Sequence, residues 1–425
     1  MQLAVERALE GRRGGVVLLD ADSGDVLAMA SFPTFDPNYF TRYLPGTEWK
    51  RLRDPRLTPL INRAIEGEYQ PGSTFKIVTG YAGLLERLVA PEELVPCSGS
   101  FQLGKRTAHC WKPGGHGGMD FARALGQSCN VYFYSLGARL DVDSLASAAA
   151  GFGLGHATGL GLPGERTGKI PDLAWRTSRR ASIHRPWNTG DTVNASIGQG
   201  DVMVTPLQMA RLIAAVSNGG RVYRPRLVSR IIGPDGEEVR RFDPVLDHEM
   251  RMPPDVLEPL RAGLRLAVAA GTATRARMTG VSVFGKTGSA QNPGRKTHAW
   301  FVGVMESRSP SVAVAVLLEG AGAGGTEAVP VARAALGAVQ TIIERRRKAS
   351  EASEPAQAVT TASLPSVPVS TTTTEELASQ ERLADTTDPT GLADDSEPGA
   401  AFLLGIDPDE TVEYGAGDDA LYIEN

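Results

Sequence analysis

The order of apolar runs along this 425-residue chain predicts an α/β fold of the α+β kind. One antiparallel sheet is assembled from both chain ends, and a helical subdomain is inserted between them. Three observations carry this. Val16–Leu19 and Val26–Ala30, joined by the turn Ala21-Asp22-Ser23-Gly24, read as a hairpin. Three further strand-like runs come late, at Val281–Phe284, His298–Val304 and Val312–Leu318, and Ala328–Arg347 then reads as an apolar-faced helix. Between the two groups the periodicity is helical, in Ser73–Leu85 after the break Tyr69-Gln70-Pro71-Gly72, and in Phe121–Gln127. Ile197–Gly200, Val204–Asn218 and the pre-strand Pro225–Ile232 are expected to complete the helical part and return the chain to the sheet. There is no internal repeat.

Composition divides the chain in two. The whole holds 44 basic and 49 acidic residues, a formal net charge of −5. Residues 349–425 hold 17 acidic side chains and one basic, Arg382, so residues 1–348 hold 49 − 17 = 32 acidic and 44 − 1 = 43 basic, a net of +11. The expected organisation is a basic domain over 1–348, long enough for a sizeable core, followed by an acidic tail over 349–425. The tail is rich in Ser, Thr, Pro and Asp, includes Thr371–Thr374, and is expected to be disordered. Phe402-Leu403-Leu404 and Leu421-Tyr422-Ile423 interrupt it. A basic domain suits an anionic envelope surface or polymer, though soluble enzymes also carry such an excess; nothing points to nucleic acid. Arg176, Arg179, Arg180 and Arg185 form an Arg-rich stretch that reads either as a groove lining or, more simply, as a solvated loop.

Three short motifs stand in one order: Ser73-Thr74-Phe75-Lys76, Ser128-Cys129-Asn130 and Lys286-Thr287-Gly288. Each alone is common. Together they supply the parts of an acyl-transfer site that works without histidine. Ser73, at a helix start, lies where unpaired N–H groups favour developing negative charge, although a lone serine there is more often a simple cap. Lys76 shares a helix face with it, and burial beside another cation such as Lys286 would make that lysine a usable base. Ser128 and Asn130 alternate with Cys129, so both point one way, toward a leaving group and a substrate amide. Gly288 admits a ligand close to the strand backbone. The N–H of Ser289 is expected to pair with that of Ser73 as an oxyanion hole, and Lys286 and Thr287 to hold a substrate carboxylate. The plainer alternative for Lys286 is a solvated strand end.

With these motifs stand longer stretches: Tyr69–Lys76, Cys110–Gly117, Gly190–Gly200, Val204–Ala210 and Gly285–Ala290 followed by His298–Gly303. In them the chain resembles the transpeptidase domain of class B penicillin-binding proteins of the elongation type, over roughly residues 1 to 345. The resemblance implies the fold of serine β-lactamases and D,D-peptidases. It also implies D,D-transpeptidation of peptidoglycan: Ser73 takes the penultimate D-Ala carbonyl of a stem pentapeptide, releases the terminal D-Ala and passes the acyl group to a neighbouring stem-peptide amine. β-Lactam antibiotics would acylate Ser73 and leave slowly. Lys76 as acylating base, Ser128 as proton relay and Asn130 as amide holder follow the same resemblance. It implies no cofactor for the chemistry, and a membrane glycosyltransferase of the elongation machinery as partner of a full-length protein.

Every cysteine of the chain falls in one region. Cys97, Cys110, His116 and Cys129 are separated by twelve, five and twelve residues. Three cysteines and a histidine are an accepted tetrahedral zinc set, and penicillin-binding proteins of this type have metal ligands at matching positions. The expectation is structural Zn2+, with His109 as the substitute ligand. The competing reading is a Cys97–Cys110 disulfide with Cys129 as a small buried hydrophobe.

Members of this type carry a transmembrane anchor and a pedestal before the transpeptidase domain. No run here approaches the roughly 18 apolar residues of a span, and no signal peptide is visible. The sequence is therefore expected to be a fragment or to have a misassigned start, with the catalytic domain outside an inner-membrane anchor. Three other functions share the motifs. A class D-like β-lactamase would hydrolyse its acyl-enzyme quickly, but its usual second motif has an aliphatic residue where Asn130 stands. A D,D-carboxypeptidase would use water as acceptor. A non-enzymatic β-lactam sensor domain would be acylated once and stay so.

Overall fold

Five strands form one sheet in the order Ser282–Ala290, His298–Glu306, Val312–Leu318, Gly14–Asp20 and Val26–Phe32, with every neighbouring pair antiparallel. The computed structural model describes residues 1–353 apart from 42, 179–185, 293 and 308–309. Arg179, Arg180 and Arg185, and residues 354–425 with the tail's two apolar interruptions, lie outside the described residues, while 349–353 end the helix Gly324–Ser353. The two chain ends meet at the central pair, where Val16 faces Val316 and Leu18 faces Val314.

The strands are apolar on both faces because both faces are covered. Val17, Leu19, Trp300, Val302, Ala313 and Ala315 pack toward the inserted helices. Their alternates Val16, Leu18, Phe301, Val314 and Val316 pack against the terminal helices Gln2–Leu9 and Gly324–Ser353. The same alternation sends Phe284 and Ala290 of the edge strand to the inserted side and Val283 to the other. Lys286, in phase with Phe284, thus belongs to the inserted side.

In the insertion, Lys76–Leu85 is an α-helix buried from Lys76 through Leu84. The serine itself precedes it in a 3-10 turn, Gly72–Phe75, rather than opening the α-helix as the periodicity suggested. Gly80 and Gly83 let this helix close on its neighbours: a Cβ at either would come within 2.7 Å of Phe121 or Leu136. Pro206–Asn218 is capped at its start by Thr205 and Gln208 in a reciprocal box and stopped by Gly219 at φ 85°.

Two expectations are corrected. The segment around Pro225–Ile232 touches the sheet at Arg226, which bridges Asp25 at the start of the strand Val26–Phe32, but it does not carry the chain to the lysine-bearing strand. Arg230–Ile232 pairs with Glu238–Arg241 in an exposed hairpin. The return is made by the helix Pro254–Ala270, which buries Val256, Leu260 and Leu264 and packs on Phe121–Gly126 and on the lysine-bearing strand. Arg176 is neither groove nor solvated loop. It is buried, ion-paired to Asp201 at 3.4 Å and stacked on Trp175 and Trp187, because a guanidinium tolerates burial when it is paired and faces aromatic rings.

One ionic cluster ties the sheet to the segment before the serine. Arg63, 1 % exposed, bonds Glu319 at 2.8 Å and donates to the carbonyls of Leu57 and Thr58. Arg13 also pairs with Glu319, and the Tyr69 hydroxyl donates to the same carboxylate at 2.7 Å. Burial alone would raise the Glu319 carboxyl, but the Tyr69 hydroxyl, Arg63 and Arg13 together hold it below its ordinary value. A depressed carboxyl contributes stability that is present above the unfolded pKa of about 4.3 and lost as pH falls through the folded value. Glu319→Gln is therefore expected to cost about 3 kcal/mol at pH 7, the low end for breaking a buried pair because Glu319 keeps some exposure. Denaturant titrations should also show the variant losing less stability than the wild type between pH 5 and about pH 3. Parallel losses in both proteins would contradict this account.

Candidate active site

The serine turn is clamped between two backbones. Gly72, at φ 54°, accepts the approach of the edge strand: a Cβ there would lie 3.0 Å from the Ser289 carbonyl oxygen. Its N–H donates to the Gly198 carbonyl at 2.9 Å. Gly198, at φ 70°, has no room for a side chain, since a Cβ would stand 2.3 Å from the Gly72 oxygen and 2.7 Å from Phe75 Cβ. On the sheet side, the Trp300 indole donates to the Gln70 carbonyl at 2.9 Å, and Tyr69 sets its ring edge-on to His298 and Trp300. Ser73 is left partly exposed at the cleft, while Thr74 and Phe75 are buried.

Lys76 is wholly buried behind the serine turn. Its Nζ donates to the Ser128 carbonyl at 2.9 Å, the Ser128 Oγ at 3.3 Å and the Asn130 Oδ1 at 2.7 Å, and lies 5.4 Å from the Phe133 ring centre. Burial lowers this amine to about 7, against the opposing pull of the nearby Cys129 and Cys110 thiols. The three acceptors favour the ammonium, so the group is poised between its two forms at neutral pH.

Ser128 follows the helix Phe121–Gly126 and takes φ 56°, a left-handed conformation unusual for a non-glycine residue. Its carbonyl is held from two sides, by Lys76 and by the Trp111 indole at 3.1 Å. Asn130 opens the helix Asn130–Gly137 and donates through Nδ2 to the His109 carbonyl at 3.3 Å. Ser128 and Asn130 thus both meet Lys76, while Cys129 turns into the cysteine cluster.

The third motif lies on the sheet edge, Ser282–Ala290, so the outer amides of that strand have no strand partner. Gly288 packs against the serine turn, where a Cβ would lie 2.8 Å from the Pro71 oxygen. Thr287 Oγ1 stands 2.6 Å from Thr272 Oγ1, and exposed Ser289 accepts at Oγ from the Gly324 N–H at 3.2 Å. Lys286 is fully buried, and its Nζ donates to the Thr287 carbonyl at 2.9 Å. Burial, and then the Lys76 charge, push it well below the usual lysine value.

These elements enclose a cleft of about 610 Å³ lined by Ser73, Ser128, Asn130, Thr287, Gly288 and Ser289. Lys76 and Lys286 stand behind its wall rather than on it. The motif reading missed Trp111, Thr272, Arg275 and Gln199, which share the lining. Trp111 and Gln199 lie in the stretches Cys110–Gly117 and Gly190–Gly200, which carried the resemblance without marking either as a lining residue. Thr272 and Arg275 reach the cleft through a 3-10 turn, Thr274–Ala276, that no local pattern marks as functional.

Cys97, Cys110 and Cys129 are buried and form no disulfide, and their sulfurs and a His116 ring nitrogen all lie within 4.8 Å of one another. His116 Nδ1 is 3.5 Å from both Cys97 Sγ and Cys110 Sγ. A tetrahedral zinc with Zn–S near about 2.3 Å and Zn–N near about 2.0 Å has N···S edges of about 3.5 Å, so this donor set fits one. A hydrogen bond with Cys129, helped by backbone N–H groups of Lys112, Asn130 and Val131, pulls the Cys110 thiol below its ordinary value, toward the thiolate a metal binds. The same pairing, and then burial, push Cys129 up. His116 Nε2 is buried and has no hydrogen-bond partner among the described residues, its ring edge-on to Trp111. His109 stands outside the cluster and meets Asn130 through its carbonyl.

The "Penicillin binding protein transpeptidase domain" family model matches residues 14–337. The peptidoglycan D,D-transpeptidase MrdA of Haemophilus influenzae is 32% identical over an alignment of 354 residues that covers 78% of this chain and 54% of that protein. This chain therefore spans about half the length of that relative. Among solved structures, Pseudomonas aeruginosa PBP2 in complex with WCK 5153 is 34% identical with a TM-score of 0.70, covering 79% of this chain and 72% of that one. The imipenem acyl-enzyme of penicillin-binding protein A from M. tuberculosis is 29% identical with a TM-score of 0.68, covering 79% and 77%.

The clamp on the serine turn is directly testable. Gly198→Ala should destabilise the protein by roughly 2–4 kcal/mol, the sum of left-handed strain and overpacking against backbone. Denaturant unfolding would measure it, and a loss under about 0.5 kcal/mol would show that the turn is not clamped there.

Proposed function

We propose that this chain, which belongs to the penicillin-binding protein transpeptidase family, is the catalytic part of an elongation-type peptidoglycan D,D-transpeptidase. The observation that carries this reading is the buried Lys76 amine bridging Ser128 and Asn130 behind the partly exposed Ser73. In the proposed sequence, neutral Lys76 takes the Ser73 hydroxyl proton as Oγ bonds to the penultimate D-Ala carbonyl carbon. The Ser73 and Ser289 N–H groups hold the oxyanion. As the C–N bond breaks, the proton passes from Lys76 through the Ser128 hydroxyl to the leaving D-Ala amine. A stem-peptide amine from a neighbouring strand then attacks the ester, and Ser73 recovers its proton. Asn130 orients the substrate amide. With a β-lactam, the leaving nitrogen stays tethered to the acyl group and obstructs the acceptor, which makes inhibition long-lived.

The finer parts of the reading follow the family. The substrate is a stem pentapeptide on nascent glycan, and a membrane glycosyltransferase would be the partner of a longer protein anchored in the inner membrane. Among the described residues no helix is long and apolar enough to cross a membrane. The Cys97, Cys110, Cys129 and His116 set would hold a structural Zn2+. Bound there, the ion would supply no chemistry to the reaction. Cys129 lies between Ser128 and Asn130, so ligation pins the loop that presents both to Lys76.

Two experiments test the reading. Intact-protein mass spectrometry after benzylpenicillin should give one adduct persisting for hours and absent from Ser73→Ala. An adduct retained by the mutant would overturn the site, and one cleared within seconds with penicilloate accumulating would favour a β-lactamase. For the metal, Cys110→Ser should lose bound zinc and melt several degrees lower, in line with a loss of one to two kcal/mol or more, about 2–4 °C per kcal/mol at this size. Wild-type protein that melts unchanged after chelation and contains no zinc would contradict the metal assignment.

A further inference from the structure

The released residue of a D,D-peptidase substrate ends in a carboxylate, and penicillins carry one in a comparable place. A cleft that recognises either needs a cation at its surface. Lys286 does not supply it in this structure: it is fully buried, its Nζ donates to the Thr287 carbonyl, and it does not line the cleft. Lys76 is equally enclosed. Among the described residues lining the cleft, Arg275 is the one side chain with a permanent charge, and no carboxylate shares the lining to neutralise it. Its side chain is exposed, and Nη1 donates a long hydrogen bond to the Thr326 carbonyl at 3.4 Å.

Its placement is defined by neighbours on the same wall. Thr272, three residues earlier, sets its hydroxyl 2.6 Å from the Thr287 hydroxyl, and Thr326 lines the cleft beside Ser289. We infer that Arg275 is the carboxylate anchor of this site, acting with the Thr272–Thr287 hydroxyl pair, and that Lys286 acts from behind the wall by bracing the Thr287 backbone. A guanidinium offers paired donors matched to a carboxylate, and keeps its charge at every working pH. The inference rests on the acyl-transfer reading above and adds to it the residue that selects an anionic substrate.

The test compares acylation by benzylpenicillin with acylation by its methyl ester, in wild type, Arg275→Ala and Arg275→Lys. Second-order rates are read from the Ser73 adduct. Arg275→Ala is expected to slow the acid by about ten- to a hundredfold, the loss of a charge-assisted pair, while leaving the ester within about twofold of wild type. Arg275→Lys should recover part of the acid rate. The ester rate in the same variant reports an intact nucleophile, so a folding defect is distinguishable from a lost anchor. Equal slowing of acid and ester, an unchanged acid rate in Arg275→Ala, or a wild type that accepts the ester as fast as the acid would each overturn the inference. Absence of any Ser73 adduct in the wild type would instead overturn the acyl-transfer reading, and this inference with it.

Discussion

The enclosure of the Lys76 amine is the constraint on which the rest of the site depends. A lysine in water holds its proton until about pH 10.4 and cannot serve as a base at neutrality. Here burial brings it to about 7, while Ser128 and Asn130 occupy its hydrogens. That arrangement demands a sealed floor under the cleft. The all-buried helix from Lys76, the Phe133 ring and the turn around Gly198 provide it. The second buried lysine, Lys286, is pushed well below the usual lysine value by its own burial and then by the Lys76 charge.

The fold serves that enclosure by bringing distant segments together. The nucleophile comes from the inserted helices, and the edge strand comes from the far end of the chain. Glycines at 72, 198 and 288 let three backbones close to distances that any side chain would forbid. The Arg63–Glu319–Tyr69 cluster then ties the segment before the serine to the end of the central sheet, so the sheet and the serine turn share one frame of reference. The cysteine cluster does the same for the opposite wall. Cys129 anchors the short link between Ser128 and Asn130, and Trp111 holds the strained Ser128 carbonyl.

Much of this was legible in the sequence where local pattern and tertiary role coincide. The five strands were recognisable because both sheet faces are buried and their runs are therefore continuous. The edge strand was underestimated: only Val281–Phe284 looked β-like, yet it runs through Ala290, since Lys286, Thr287 and Gly288 are there for the site rather than for strand propensity. The three motifs announced themselves by residue type and order. The depth of Lys286 did not, because a lysine in sequence looks solvated until the elements around it are placed. Arg176 misled for the same reason. Thr272 and Arg275 carry no signature at all, since their relevance arises only where a connecting turn meets the strand edge.

The pH dependence of Ser73 acylation tests the central claim most directly. Second-order rates for a stable β-lactam, measured from pH 5 to pH 10, should rise with a single midpoint near 7 and then level off, because the amine is the effective base only above its lowered pKa. A rate that keeps climbing toward pH 10, or one independent of pH across this range, would show that the Lys76 amine is not the group that takes the serine proton.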